Sequence, residues 1–320
     1  MYLSTDTISP AAICAAIQTP DEADFRTKPT HASPRQVPHW SSGHVPLAPY
    51  QPTEEVSAIC DEIRNLHKLR QGMIRAQTKL ALQAQAVLRL AFASDDDFAT
   101  EEGKAKARKR TESLYRTVKD DESHPLYGSI MPYLMSMHPL EAQIAAYKKA
   151  LDKAAKRLPV YAWVKTVKGF GDTSFATIVG ECGDIGSYKS VSAVWKRMGV
   201  AVLNGHRQGN PGAGASAQDW VDEGYNKQRR SVGYVAREHV IGGMGKWRPA
   251  MGEDVDANEA LTPYQRAYAR RARVEAEKLG LPVTEAATGK ESYKKHVSNR
   301  AHRYVEKMLL KHLYIEWRRH

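Results

Sequence analysis

Ile59, Leu66, Met73, Leu80 and Val87 recur every seven residues. A repeat of that period admits few structures other than a long amphipathic helix. The alternate seam positions are Ile63, Arg70, Gln77, Ala84 and Ala91, so one seam is polar in its middle. Polar seam residues fix the register or the partner of a coiled coil, although the same pattern also suits an ordinary long helix in a bundle. Thr53 stands before the repeat as an N-cap, and Glu54 and Glu55 place acid in the first turn, where the helix dipole favours it. A second apolar pattern runs through Leu140, Ile144, Tyr147, Leu151, Ala154 and Leu158. It predicts a helix from Pro139 to Leu158 that pairs with the first as an antiparallel hairpin.

Around these helices the chain changes character. Pro20, Pro29, Pro34, Pro38, Pro46, Pro49 and Pro52 interrupt any helix near the start, so residues 1–52 read as a disordered arm. Ser94 and the acidic run Asp95-Asp96-Asp97 end the heptads; they read as an acidic turn and helix cap rather than a metal site. Lys104, Lys106, Arg108, Lys109 and Arg110 then make a dense basic run, either phosphate-contacting or a solvated helix face. Strand signals are nearly absent; Val200 to Leu203 is the one credible short strand.

Lys and Arg number 47 against 36 Asp and Glu, a formal net charge of +11. Such an excess favours a polyanionic partner, because cations on phosphate release condensed counterions. Cys14, Cys60 and Cys182 are far apart and form no CxxC, which argues against a disulfide framework or a zinc site and for a reducing, cytoplasmic compartment. No apolar run approaches the roughly 18 residues that span a bilayer. The first residues lack the basic and apolar regions of a signal peptide.

The segment Trp163 to Gly180 carries the functional argument. An apolar helix ends, Gly169-Phe170-Gly171 makes a turn, and a second apolar helix starts. The glycines permit a tight turn and a close approach of backbone to another surface. Phe170 plugs the space between the helices, and Asp172 or Thr173 caps the second. The first N–H groups of that helix bind phosphate oxygens, with Lys165 and Lys168 supplying charge beside them. This is the physical logic of a helix-hairpin-helix, which grips backbone and ignores sequence.

The continuation adds specificity. Glu181-Cys182-Gly183-Asp184-Ile185, Tyr188-Lys189-Ser190, a helix over 191–198 and Gly199-Val200 follow in order. From Val167 to Val200 the chain resembles the C-terminal transposase domain of the IS-one-ten family of insertion-sequence transposases. A looser similarity extends towards Gly242 through the basic segment Tyr225 to Ser231, with Lys227, Arg229 and Arg230. The resemblance implies a serine-dependent, RNA-guided DNA transposase lineage, with DNA and a guide RNA as expected partners.

Two departures qualify that expectation. The family opens with a RuvC-like domain whose acidic residues bind divalent metal, and the first 150 or so residues here supply no such scaffold. Mg²⁺ chemistry therefore enters only if a partner brings an acidic domain; no other cofactor or metal is expected. The family's serine follows the Gly-Leu in a Ser-Gly, and here Gln208 precedes Gly209 at that place. An amide cannot form a phosphoester link to DNA. Two other serines are candidates for the nucleophile. Ser231 follows Arg229 and Arg230, whose charge suits a phosphoryl transition state, but it also reads as a small residue on a helix. Ser216 lies in a small-residue loop and reads more simply as a helix N-cap answered by Asp219.

The C-terminal part is basic and helical. Thr262 and Pro263 cap and open a helix with Arg266, Arg270, Arg271 and Arg273. A last helix buries Val297, Ala301, Tyr304, Val305, Met308, Leu309, Leu313 and Trp317. Lys294, Lys295, Arg300, Arg303, Lys307 and Lys311 form its basic face.

The fold expectation is a mainly α chain: the arm (1–52), a helical hairpin or coiled coil (53–158) and a helix-hairpin-helix domain with basic C-terminal helices (159–320). The function expectation is a transposase-like DNA-binding protein acting in transposition or recombination. The alternative is a non-catalytic nucleic-acid-binding accessory protein, for DNA or guide RNA. A homo-oligomer formed through the helical region is expected, and no membrane partner.

Overall fold

The computed structural model describes residues 49–94, 96–242, 255, 258–279, 283–284, 291–292 and 295–320. The expected arm lies outside the described residues up to residue 48, as do Asp95 and Lys294.

The described residues are mainly helical. In chain order they form α1 (Glu54–Leu90), α2 (Asp96–Ala99), α3 (Glu101–Lys119), α4 (Tyr127–Ala155), α5 (Tyr161–Val164), α6 (Asp172–Cys182) and α7 (Val191–Arg197). A hairpin of β1 (Val202–Leu203) and β2 (His206–Arg207) follows, then α8 (Ala217–Glu223), α9 (Lys227–Val240) and α10 (Pro263–Leu279). The antiparallel pair β3 (Val283–Thr284) and β4 (Glu291–Ser292) precedes α11 (Lys295–Trp317). The strand expected over Val200–Leu203 is confined to its last two residues. Val202 pairs with Arg207 and Leu203 with His206, across Asn204 and Gly205 at φ 48° and 81°. Asn-Gly tolerates these left-handed angles, which match the twist of a two-residue hairpin.

Two compact units are present: Asn65–Leu151, and the described residues up to Arg64 together with those from Asp152 onward. In the first, Ala84 and Leu88 of α1, Val118 of α3 and Ile130 of α4 form a core. Leu88 is buried there and Val87 only half-buried, the drift that a straight 3.6-residue helix shows against a seven-residue repeat. Leu66, Arg70, Met73, Gln77 and Leu80 are all half-buried. Gln77 Nε2 donates to Glu141 Oε1 at 3.0 Å, linking α1 to α4. The expected start of α4 at Pro139 is corrected: the helix begins at Tyr127 and carries Pro132 and Pro139 inside it. Each internal proline removes an amide bond, and burial of Ile130 and Met137 on one face outweighs that loss.

In the second unit Phe175, Ile178 and Val179 of α6, Val194 of α7, Val240 of α9, and Val305, Leu309 and Leu313 of α11 are buried. α11 packs against α10, α9 and α7. Thr262 caps α10 as expected: its Oγ1 accepts from Gln265 N at 3.2 Å, while Gln265 returns a carboxamide oxygen to Thr262 N at 2.9 Å. Thr53 Oγ1 likewise accepts from Val56 N at 3.2 Å at the head of α1.

Candidate nucleic-acid interface

The turn between α5 and α6 uses its two glycines differently. Gly169 has φ +86°, and a Cβ there would run into the backbone of α9, with the His239 carbonyl carbon 2.8 Å away. Its close approach is therefore to the protein's own chain. Gly171 has φ −74° and acts as N-cap of α6; a Cβ there would meet nothing within 4 Å. Phe170 is buried as expected, edge-on to Trp163 and Phe175 at 6.3 Å and 6.1 Å.

The expected side-chain cap of α6 is corrected. Gly171 holds the cap position, so Asp172 and Thr173 fall inside the first turn. Asp172 accepts from the Tyr161 hydroxyl at 2.7 Å and pairs with Lys156 at 2.8 Å. Thr173 Oγ1 donates to Asp152 at 2.9 Å. The Asp172 carboxylate holds the Tyr161 phenol and the Lys156 ammonium above their ordinary ranges, chiefly through those hydrogen bonds. Lys165 and Lys168 are exposed, and Lys165 Nζ lies over the Tyr161 ring at 5.7 Å.

The Glu181-to-Ile185 stretch is a clamp. Arg197 donates twice to the Glu181 carbonyl, at 2.9 Å and 2.7 Å. The Glu181 carboxylate receives Gln228 Nε2 at 3.2 Å and Arg229 Nε at 3.4 Å. Asp184 accepts from Tyr50 Oη at 3.1 Å and from Gly186 N at 2.9 Å, and Trp317 Nε1 donates to Tyr50 Oη at 3.1 Å. Burial pushes the Asp184 carboxyl up. These residues join α6, α7, α9 and α11 to the segment that leads into α1.

Each residue considered for chemistry has a defined place. Gln208 is 1% exposed. Its Oε1 accepts from Ala201 N at 3.1 Å, and its Nε2 donates to the Lys196 and Glu223 carbonyls at 3.0 Å and 2.7 Å. The amide thus ties the β-hairpin to the ends of α7 and α8. Ser216 is the N-cap of α8 in a reciprocal capping box with Asp219, whose carboxyl the Ser216 hydroxyl and amide hold below the usual range. Ser231 Oγ donates to the Gln228 carbonyl at 2.7 Å within α9.

The basic residues divide. Lys227 is exposed at the start of α9. Arg229 is drawn to Glu181, and Arg230 pairs with Glu306 at 2.6 Å. On α11, Arg300 pairs with Glu275 at 2.8 Å. Arg303, expected on an outer face, turns inward: one nitrogen faces the carbonyls of Gly199, Ala201 and Gln208 at 3.2–3.3 Å. No spacing rule brings Arg303 to Gln208, 95 positions away. A deeper network links Arg237, Glu238, Glu306 and His302, all at most 4% exposed. Gly233 makes room for it, since a Cβ there would strike the Glu306 carboxylate.

Among the described residues, no group of three or more His, Cys, Asp or Glu is placed to hold a metal ion. No described helix is long and apolar enough to cross a membrane. Compared with known proteins, the chain matches no family model, no curated protein and no solved structure.

Proposed function

We propose that the region from Asp152 onward is a nucleic-acid-binding module of transposase type, with binding rather than strand chemistry as its activity. The observation that carries this reading is the asymmetry of the α5–α6 turn. Gly169 is consumed by contact with α9, while Gly171 leaves an open backbone edge at the head of α6, between the exposed Lys165 and Lys168. An open edge lets a phosphate approach backbone N–H groups at the positive end of a helix. Asp172 adds a carboxylate at that end, and Lys156 and the Tyr161 hydroxyl offset it.

In this reading α5 and α6 form the helix-hairpin-helix, α1 and α4 form a coiled coil whose half-buried seam receives a second copy, and duplex DNA is the partner. Guide RNA is the other nucleic acid the resemblance brings in. The accessory reading gains support from Gln208, which is sealed inside the fold, and from Ser216 and Ser231, whose hydroxyls serve helix geometry.

Binding of labelled duplex and single strands by the full chain tests this. Affinity is expected to fall by orders of magnitude between about 50 and 200 mM salt if several phosphates are contacted. Salt-independent binding, or none, overturns it. Strand transfer with Mg²⁺ that is lost in Ser231→Ala or Ser216→Ala would replace it with the recombinase reading.

A further inference from the structure

We propose a second phosphate-binding site where Arg207, Arg303 and Lys307 converge beside the end of α7, and that it takes a phosphodiester of the bound nucleic acid. This inference rests on the nucleic-acid reading above.

Tertiary packing brings these cations together. Arg303 of α11 points a guanidinium nitrogen at the Gln208 carbonyl, next in the chain to Arg207 of β2. Lys307 stands one helical turn further along α11, its ammonium over the Trp195 ring of α7 at 4.8 Å. The stem of Arg230 lies within 3.4 Å of the Cβ position of Gly199, whose carbonyl Arg303 also contacts.

The charges there do not balance. Glu306 is the nearby carboxylate on α11, and its two oxygens already serve Arg230 at 2.6 Å and Arg237 at 3.5 Å. Among the described residues, no carboxylate lies within ion-pair distance of Arg207, Arg303 or Lys307. What holds Arg303 is neutral and weak. Three carbonyls share one nitrogen at 3.2–3.3 Å, beyond the usual 2.9–3.0 Å, and its Nε is buried without a partner. Burial, then Arg230 and Arg207, push the Arg303 guanidinium down to about 10. Burial and Arg303 lower Lys307 as well. Like charges held close and partly out of water gain most from an anion that enters between them.

The surroundings suit a chain of phosphates better than one small anion. Exposed Lys196 and Lys227 extend the cationic surface. Arg207, Lys196 and His206 line an open groove of about 650 Å³. Asp219, Asp222 and Glu223 also line that groove, but Ser216, Gln218 and the Gly209 amide hold them.

The test compares the full chain with Arg207→Gln/Lys307→Gln, which leaves the inward-facing Arg303 in place, and with Lys165→Gln/Lys168→Gln. Duplex affinity is measured across salt concentrations, and circular dichroism checks the fold. The first variant is expected to bind about ten-fold more weakly, with the log-affinity against log-salt slope reduced by about 2, one per lost phosphate contact. An unchanged slope there, with the Lys165/Lys168 variant weakened, overturns this site and leaves the turn as the interface. Salt-independent binding by the unaltered chain removes the nucleic-acid reading and this inference with it. Inorganic pyrophosphate is the third arm. If it raises the melting temperature of the unaltered chain but not of Arg207→Gln/Lys307→Gln, while both keep the same duplex slope, the site belongs to a free anion and the phosphodiester assignment is overturned.

Discussion

The basic run of α3 and the basic residues of α9 to α11 have similar composition and opposite fates. On α3, Lys104 pairs with Glu101 and Lys106 with Glu102, and the latter pair is 74% and 79% exposed. On the later helices, Arg230, Arg237, Arg271 and Arg300 converge on Glu306 and Glu275, each 1% exposed. A surface pair in water is worth little. A buried carboxylate needs its partners, because removing one leaves an uncompensated charge. The density of Lys and Arg therefore says little about which cations can meet a ligand. Burial decides that, and in the later helices it leaves Arg207, Lys307 and part of Arg303 unmatched.

Four substitutions break or sharpen this contrast. The largest effect is expected from Glu306→Ala, which strands Arg230 and Arg237 and should destabilise by about 3–5 kcal/mol in urea unfolding. A loss as small as that of a surface pair would erase the distinction. Next, Gly169→Ala puts a Cβ against the His239 carbonyl at a left-handed φ, and should cost about 2 kcal/mol or more. Gly171→Ala should stay within about 0.5 kcal/mol while weakening duplex binding. Equal thermal shifts for the two glycines would contradict the asymmetry of the turn. Ser216→Ala removes one half of a capping box and should destabilise by about 1 kcal/mol, read from the helical signal. The smallest effect is expected at Lys106→Ala, about 0.5 kcal/mol or less. A larger loss would mean that the α3 run is not simply a solvated face.

Local rules worked where one segment contains the whole interaction. Thr53 before α1, Ser216 with Asp219, and Thr262 with Gln265 are caps whose donor and acceptor lie within three residues, so reading the chain finds them. The rule failed at Pro139, where a proline suited to a helix start sits inside α4 because apolar burial on that face holds the helix through it. It failed again at Asp172 and Thr173, whose side chains prefer partners at Lys156, Tyr161 and Asp152 to the helix end beside them.

The heptad helix, the turn at Gly169 to Gly171 and the mainly α character follow from the sequence alone, since each rests on period, cap chemistry or backbone freedom within a short stretch. Tertiary structure alone decided which glycine of the turn stays open and which charges cancel. It also brought Arg207 and Arg303 together and took Gln208 out of reach of any substrate. Those outcomes depend on desolvation and on contacts between residues far apart in the chain, and no local pattern encodes them.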